Sequence, residues 1–131
     1  MMKPTLNIVI RTIIFGLVMT CIDIPWIKFV MSKLYRNVFT IDINIFATIV
    51  AYLCMILTYP FIISKFHKLK EQLEVSAILG LVIFGTYGFT LAAIYNKYPL
   101  STALFETIWG IILYTTTTLI TFYIVKRLSL K

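Results

Sequence analysis

The sequence predicts an all-α fold, an integral membrane bundle of four transmembrane helices, and three observations carry that expectation. Hydrophobic residues make up 60% of the chain and charged residues only 13%, with a mean hydropathy of +0.95; soluble domains are about 45–50% apolar. Apolar stretches recur at about 6–30, 43–64, 73–95 and 100–125, each near the roughly 20 residues that cross a bilayer core. Those runs lack the alternation of a barrel strand, and a helix satisfies its own backbone inside hydrocarbon. Four spans leave no room in 131 residues for a separate soluble domain, so residues 1–131 read as a single membrane domain.

The first span is interrupted by Arg11 and Asp23 and has no small-residue cleavage site, so it is expected to stay in the mature protein and not to act as a signal peptide. Gly16, Thr20 and Asp23 fall at intervals of four and three, on one helical face. If that face only packs, Thr20, Lys28 or a neighbouring tyrosine should satisfy Asp23. Pro25 removes a donor just after the acid and frees the carbonyl near residue 21, so a kink is expected there. Residues 31–42 read as a polar connection with aromatic anchors, and 65–72, after the second span, as a basic one.

The third span carries Gly80, Gly85, Gly88 and Ala92, a smooth surface on which another helix can approach closely, with Thr86, Tyr87 and Thr90 in the same turns. Residues 96–99 form a tight turn ending in Pro99, a residue favoured at helix starts. In the fourth span Glu106, Trp109, Gly110 and Leu113 share a face. The run Thr115–Thr118 adds four hydroxyls, which in membrane helices commonly bond back to their own backbone. Gly16, Gly80, Gly85, Gly88 and Gly110 are the expected helix-packing positions.

Topology follows from Lys and Arg. Eight (Lys3, Arg11, Lys65, Lys68, Lys70, Lys126, Arg127, Lys131) lie on the side of the two termini and four (Lys28, Lys33, Arg36, Lys97) on the other, which puts both termini in the cytoplasm. The net charge of +7 lies mainly beside apolar segments, where the lipid bilayer and its anionic headgroups are the partner, not a nucleic acid. Cys21 and Cys54 fall inside spans and read as small buried residues, not as a disulfide framework or a metal site. His67 is the single histidine and belongs to the basic connection. With no spaced ligand cluster, no Ser/His/Asp arrangement and no phosphate-binding glycine loop, the reading is no metal, no cofactor and no enzyme. No lysine sits mid-span to form a retinal-type Schiff base.

The functional signal is an acid in each of two spans, Asp23 and Glu106, each followed three positions later by a tryptophan, Trp26 and Trp109. A carboxylate in a membrane helix costs roughly 2.5–3.5 kcal/mol on insertion scales, so it needs a partner, a cavity or a task. At 1.5 Å per residue both acids fall roughly 10 Å below the same, non-cytoplasmic edge, where one pocket would hold them. The expected proton or solute site is Asp23, Glu106, Trp26, Trp109, Thr20 and Tyr87.

Asp23 with Trp26, then Tyr35, then Gly80, Gly85, Thr86, Tyr87 and Thr90, then Tyr98, Pro99 and Leu100, and finally Glu106, Trp109 and Gly110 occur in an order that resembles the predicted four-helix membrane protein family known as domain of unknown function 2177. The resemblance covers nearly the whole chain and implies a four-helix integral membrane protein without supplying an activity. The chain departs from the family pattern at Gly88, where the pattern has an aspartate, at Leu91, where it has an asparagine, and at Glu106, where it has an aspartate.

Two functional readings follow. In one, the protein carries a small solute in exchange for a proton at Asp23 or Glu106, with the tryptophans as walls; small four-span exporters show that such a size suffices, usually as dimers, so a homo-oligomer is open to it. In the other it is a structural or accessory membrane protein whose buried acids only fix helix packing. Chemistry on a lipid or isoprenoid is a weaker third, since Tyr35, Tyr95 and Tyr98 are poor catalytic groups alone.

Overall fold

The computed structural model describes residues 3–36, 38 and 42–128. Helix α1 (Pro4–Trp26) passes without a break through a π-helical stretch, Ile27–Met31, into the short α2 (Ser32–Tyr35). Next come α3 (Ile45–Phe61) with a 3₁₀ turn, Ile63–Lys65, then α4 (Leu69–Ile94) and α5 (Leu100–Arg127). Four helical stretches are long and apolar enough to cross a membrane: Pro4–Tyr35, Ile45–Lys65, Leu69–Ile94 and Leu100–Arg127. No strand occurs among the described residues.

Two boundaries differ from the sequence reading. The first span runs on to Tyr35, into what was expected to be the connection 31–42; Asn37 and residues 39–41 of that connection lie outside the described residues. Pro25 does not end the helix. The turns after it widen to π geometry, which keeps the following amides bonded. Helix α4 starts at Leu69, earlier than the apolar run, because Gln72 turns back and donates its Nε2 to the Phe66 carbonyl at 2.7 Å, securing the first turn.

The spans cross in alternating directions. Helices α4 and α5 are joined by the turn over residues 95–99, where the Pro99 carbonyl accepts from the Thr102 and Ala103 amides, and they meet along their glycines. Gly80 lies on the Gly110 carbonyl, the Phe84 ring covers Gly110, and Gly88 faces the Ala103 backbone. On the other side α1 meets α5, and Gly16 takes the Ile56 side chain of α3. The core is Phe15, Met19, Tyr59, Ile63, Leu113 and Tyr114, with the Phe15 and Tyr59 rings stacked at 4.8 Å. Cys21 and Cys54, expected inside, are exposed and free. In a bundle this thin a large part of every span faces outward, and an apolar pattern does not distinguish that face from the core.

The glycine contact makes a graded prediction. A methyl on Gly80 collides with rigid Gly110 backbone, while one on Gly85 meets only the Thr107 side chain at 3.4 Å. Gly80→Ala should therefore destabilise by about 1–3 kcal/mol and Gly85→Ala by well under about 1 kcal/mol, read from thermal unfolding in detergent.

Candidate functional site

Asp23, on α1, is buried with 5% of its surface exposed. Its Oδ2 accepts from the Tyr52 hydroxyl of α3 at 2.6 Å, and its Oδ1 accepts from the Trp109 indole Nε1 of α5 at 2.9 Å. Glu106, on α5, is equally buried. The Tyr35 hydroxyl donates to its Oε1 and the Tyr98 hydroxyl to its Oε2. Each of the four carboxylate oxygens thus has an aromatic donor. Among the described residues neither acid has a lysine or arginine partner; the ion pair there is the exposed Lys70–Glu74, at 3.8 Å.

The backbone explains how these donors arrive. Tyr35 lies twelve residues beyond Asp23, which in an unbroken α-helix would leave it about 120° round the axis. Five residues of the slower-winding π-helix take back roughly 90°, so Tyr35 returns toward the face of Asp23 and toward α5. Tyr98 is set by the turn, its amide bonded to the Tyr95 carbonyl at 3.0 Å. Burial, and then the Glu106 bond, raise the pKa of the Tyr98 hydroxyl above its ordinary range, so it enters the pair as a donor.

The two acids do not share a donor and are not level. Trp109, which reaches Asp23, is three residues along α5 from Glu106, an offset of about 4.5 Å. Trp109 stacks on Trp26 with ring centroids 4.3 Å apart and planes 4° from parallel, so the indole that donates to Asp23 is held in place by the tryptophan of α1. Tyr35 and Tyr98 rings close the Glu106 side at 5.9 Å.

A family model described as a predicted membrane protein, DUF2177, matches residues 8–123. The chain belongs to the DUF2177 family. The match takes in both acids, both tryptophans and all three tyrosine donors of this DUF2177 protein. No curated protein and no solved structure matches the chain.

Of the residues singled out in the sequence, Asp23, Trp26 and Trp109 come together, while Glu106 has its own donors three residues along α5 from Trp109. Tyr87 stands at the margin, next to Tyr35 and 52% exposed. Thr20 is not part of the site: it bonds back to the Gly16 carbonyl at 2.8 Å, as helical threonines do. Lys28 is exposed and lies over the Phe29 ring, away from Asp23. Thr86 and Thr90 are exposed. The run on α5 divides: Thr115 bonds back to Ile111, Thr118 pairs with Ser76 at 2.6 Å, and Thr117 buries a hydroxyl with no partner among the described residues.

Gly88 lies close against α5. A Cβ there would stand 3.1 Å from the Ala103 carbonyl and 3.3 Å from Glu106 Oε2. The sequence reading allowed a neighbouring tyrosine to satisfy Asp23 without naming Tyr52, and it missed Tyr35 and Tyr98 as donors to Glu106. The available signal was that a tyrosine in or beside an apolar span must place its hydroxyl on a partner.

Removing one donor leaves a buried carboxylate oxygen unsatisfied. Tyr98→Phe and Tyr52→Phe should each cost about 1–3 kcal/mol in detergent thermal unfolding, against less than about 0.5 kcal/mol for Tyr123→Phe on the exposed face. A Tyr98→Phe/Glu106→Gln double-mutant cycle should show coupling, because the two side chains form one bond.

Proposed function

We propose that this DUF2177 protein is a proton-coupled carrier of a small polar or cationic solute and not an enzyme, with Asp23 and Glu106 as the exchanging groups. The observation that supports it is that two carboxylates buried within spans are held by phenols and an indole and, among the described residues, by no cation. A carboxylate locked to an arginine stays charged. One held by tyrosine is satisfied in both states, since a phenol donates to the carboxylate and accepts from the carboxylic acid. Protonation therefore keeps a hydrogen bond on both carboxyl oxygens, while the phenol that accepts from the new hydroxyl must turn its own hydrogen to another acceptor. A cationic solute would replace the proton as the counter-charge, with aromatic faces adding cation–π attraction.

On this reading the positive-inside pattern puts both termini in the cytoplasm and the acids toward the other side. A homo-oligomer would supply further walls to so small a bundle. One observation favours the second reading, a purely structural role: all four carboxylate oxygens already have donors, so the cluster also serves to lock α1, α3 and α5 in register.

Proton uptake by the purified protein over about pH 4 to 9 tests the proposal, with Asp23→Asn and Glu106→Gln alongside wild type. The expected result is a titration in wild type that one of the two variants lacks while both keep their helical content. Isosteric variants that fold normally and take up the same number of protons as wild type across that range would remove proton coupling and leave the packing role.

A further inference from the structure

Arg11 lies inside the first span, half-buried, at the opposite end of the bundle from Glu106. Its Nε donates to the Tyr59 hydroxyl of α3 at 3.2 Å, and its guanidinium carbon stands 5.8 Å from the centre of that ring. Tyr59 is buried and stacked on Phe15, so the arginine is anchored to rigid core. A guanidinium has five N–H donors. Among the described residues no carboxylate forms an ion pair with this one. An arginine within a span is costly unless something pairs with it.

We infer that Arg11 and Tyr59 form a binding site for the phosphate of an anionic phospholipid at the contact between α1 and α3. Depth supports this. The 32-residue span Pro4–Tyr35 is about 48 Å long at 1.5 Å per residue and the hydrocarbon core about 30 Å thick, so each end overhangs by roughly 9 Å. Arg11, about 10 Å from the start of α1, sits at the boundary, and its side chain extends toward headgroup level. Tyr59 is two residues from the end of α3, at the same level.

Charge and shape agree with depth. Lys3, Lys65, Lys68, Lys126 and Arg127 are exposed at that end and attract anions without fixing one, while Glu74 is taken by Lys70 and Glu71 is the other acid there. Arg11 differs in being held, and its planar fork matches two phosphate oxygens at once. Next to Tyr59 the exposed apolar side chains Leu57 and Ile62 of the α3 end offer a surface for acyl chains, which a free phosphate ion would not use.

The test is lipid retention by the intact protein in mild detergent, by native mass spectrometry and thermal unfolding, with phosphatidylglycerol against phosphatidylcholine. Wild type should retain phosphatidylglycerol preferentially and unfold at higher temperature with it. Arg11→Gln should reduce that preference about fivefold, and a Lys65→Gln/Lys68→Gln pair should keep most of it. Should Arg11→Gln fail to fold, Arg11→Lys decides, because it keeps the charge and loses the fork: reduced retention supports the site and unchanged retention overturns it. An unchanged preference in Arg11→Gln overturns it too. Equal stabilisation by inorganic phosphate alone would overturn the assignment to a lipid.

Discussion

No water completes the hydrogen bonds of a carboxylate inside hydrocarbon, so burying Asp23 and Glu106 obliges the chain itself to bring a donor to every oxygen. The arrangement of the bundle follows from that constraint. Tyr35 must come from beyond α1, Tyr52 from α3, Tyr98 from the turn before α5 and Trp109 from α5 itself. Helix α4 contributes Tyr87 beside Tyr35, and its glycine face sets α5 in place. With Gly80 on the Gly110 carbonyl and Gly88 on Ala103, the height of Glu106 is determined by backbone contact, not by adjustable side chains.

The π-helical stretch is the local feature that reconciles the constraint with the sequence. Without it Tyr35 would face away from α5, and Glu106 Oε1 would lose its donor. Pro25 stands just before this stretch and already denies the helix one amide, so the wider winding is accommodated where regular bonding is interrupted anyway. The same extension explains why the acids are offset along the axis. Asp23 meets α5 at Trp109, and the added turns carry Tyr35 on to Glu106.

How far the sequence reads is set by how local each signal is. Span number and helical class were legible because length and continuous apolarity are properties of a single segment, and the acids stood out because a charge in such a segment is costly. The donors were not legible: Tyr52 is 29 residues from Asp23, Tyr35 is 71 from Glu106 and Trp109 is 86 from Asp23, and no spacing rule links such distances. Tyr35 was hidden further by the polar residues Ser32, Lys33 and Arg36 around it, which read as loop while the backbone stays helical as far as Tyr35. Cys21 and Cys54 were misplaced because lipid and core accept the same side chains.

The distribution of these bonds divides the molecule into two halves. Helices α4 and α5 are joined by close backbone contact, whereas α3 leans mainly on α1 and buries only Tyr59 among its described side chains. Among the described residues, the hydrogen bonds between the α1–α3 half and the α4–α5 half include Tyr35 to Glu106, Trp109 to Asp23, and the Tyr114 hydroxyl with Thr58 and the Met55 carbonyl. Below the acids lies a dry layer of Phe15, Met19 and Leu113, all wholly buried. A carrier would have to part that layer, and the parting would run along the boundary between the halves. Two of the bonds across this boundary end on the carboxylates, so a change in the charge of either acid acts directly on the joint that would have to move. That placement ties the chemistry of the acids to the position of the helices, whether the joint opens in function or serves to keep the bundle shut.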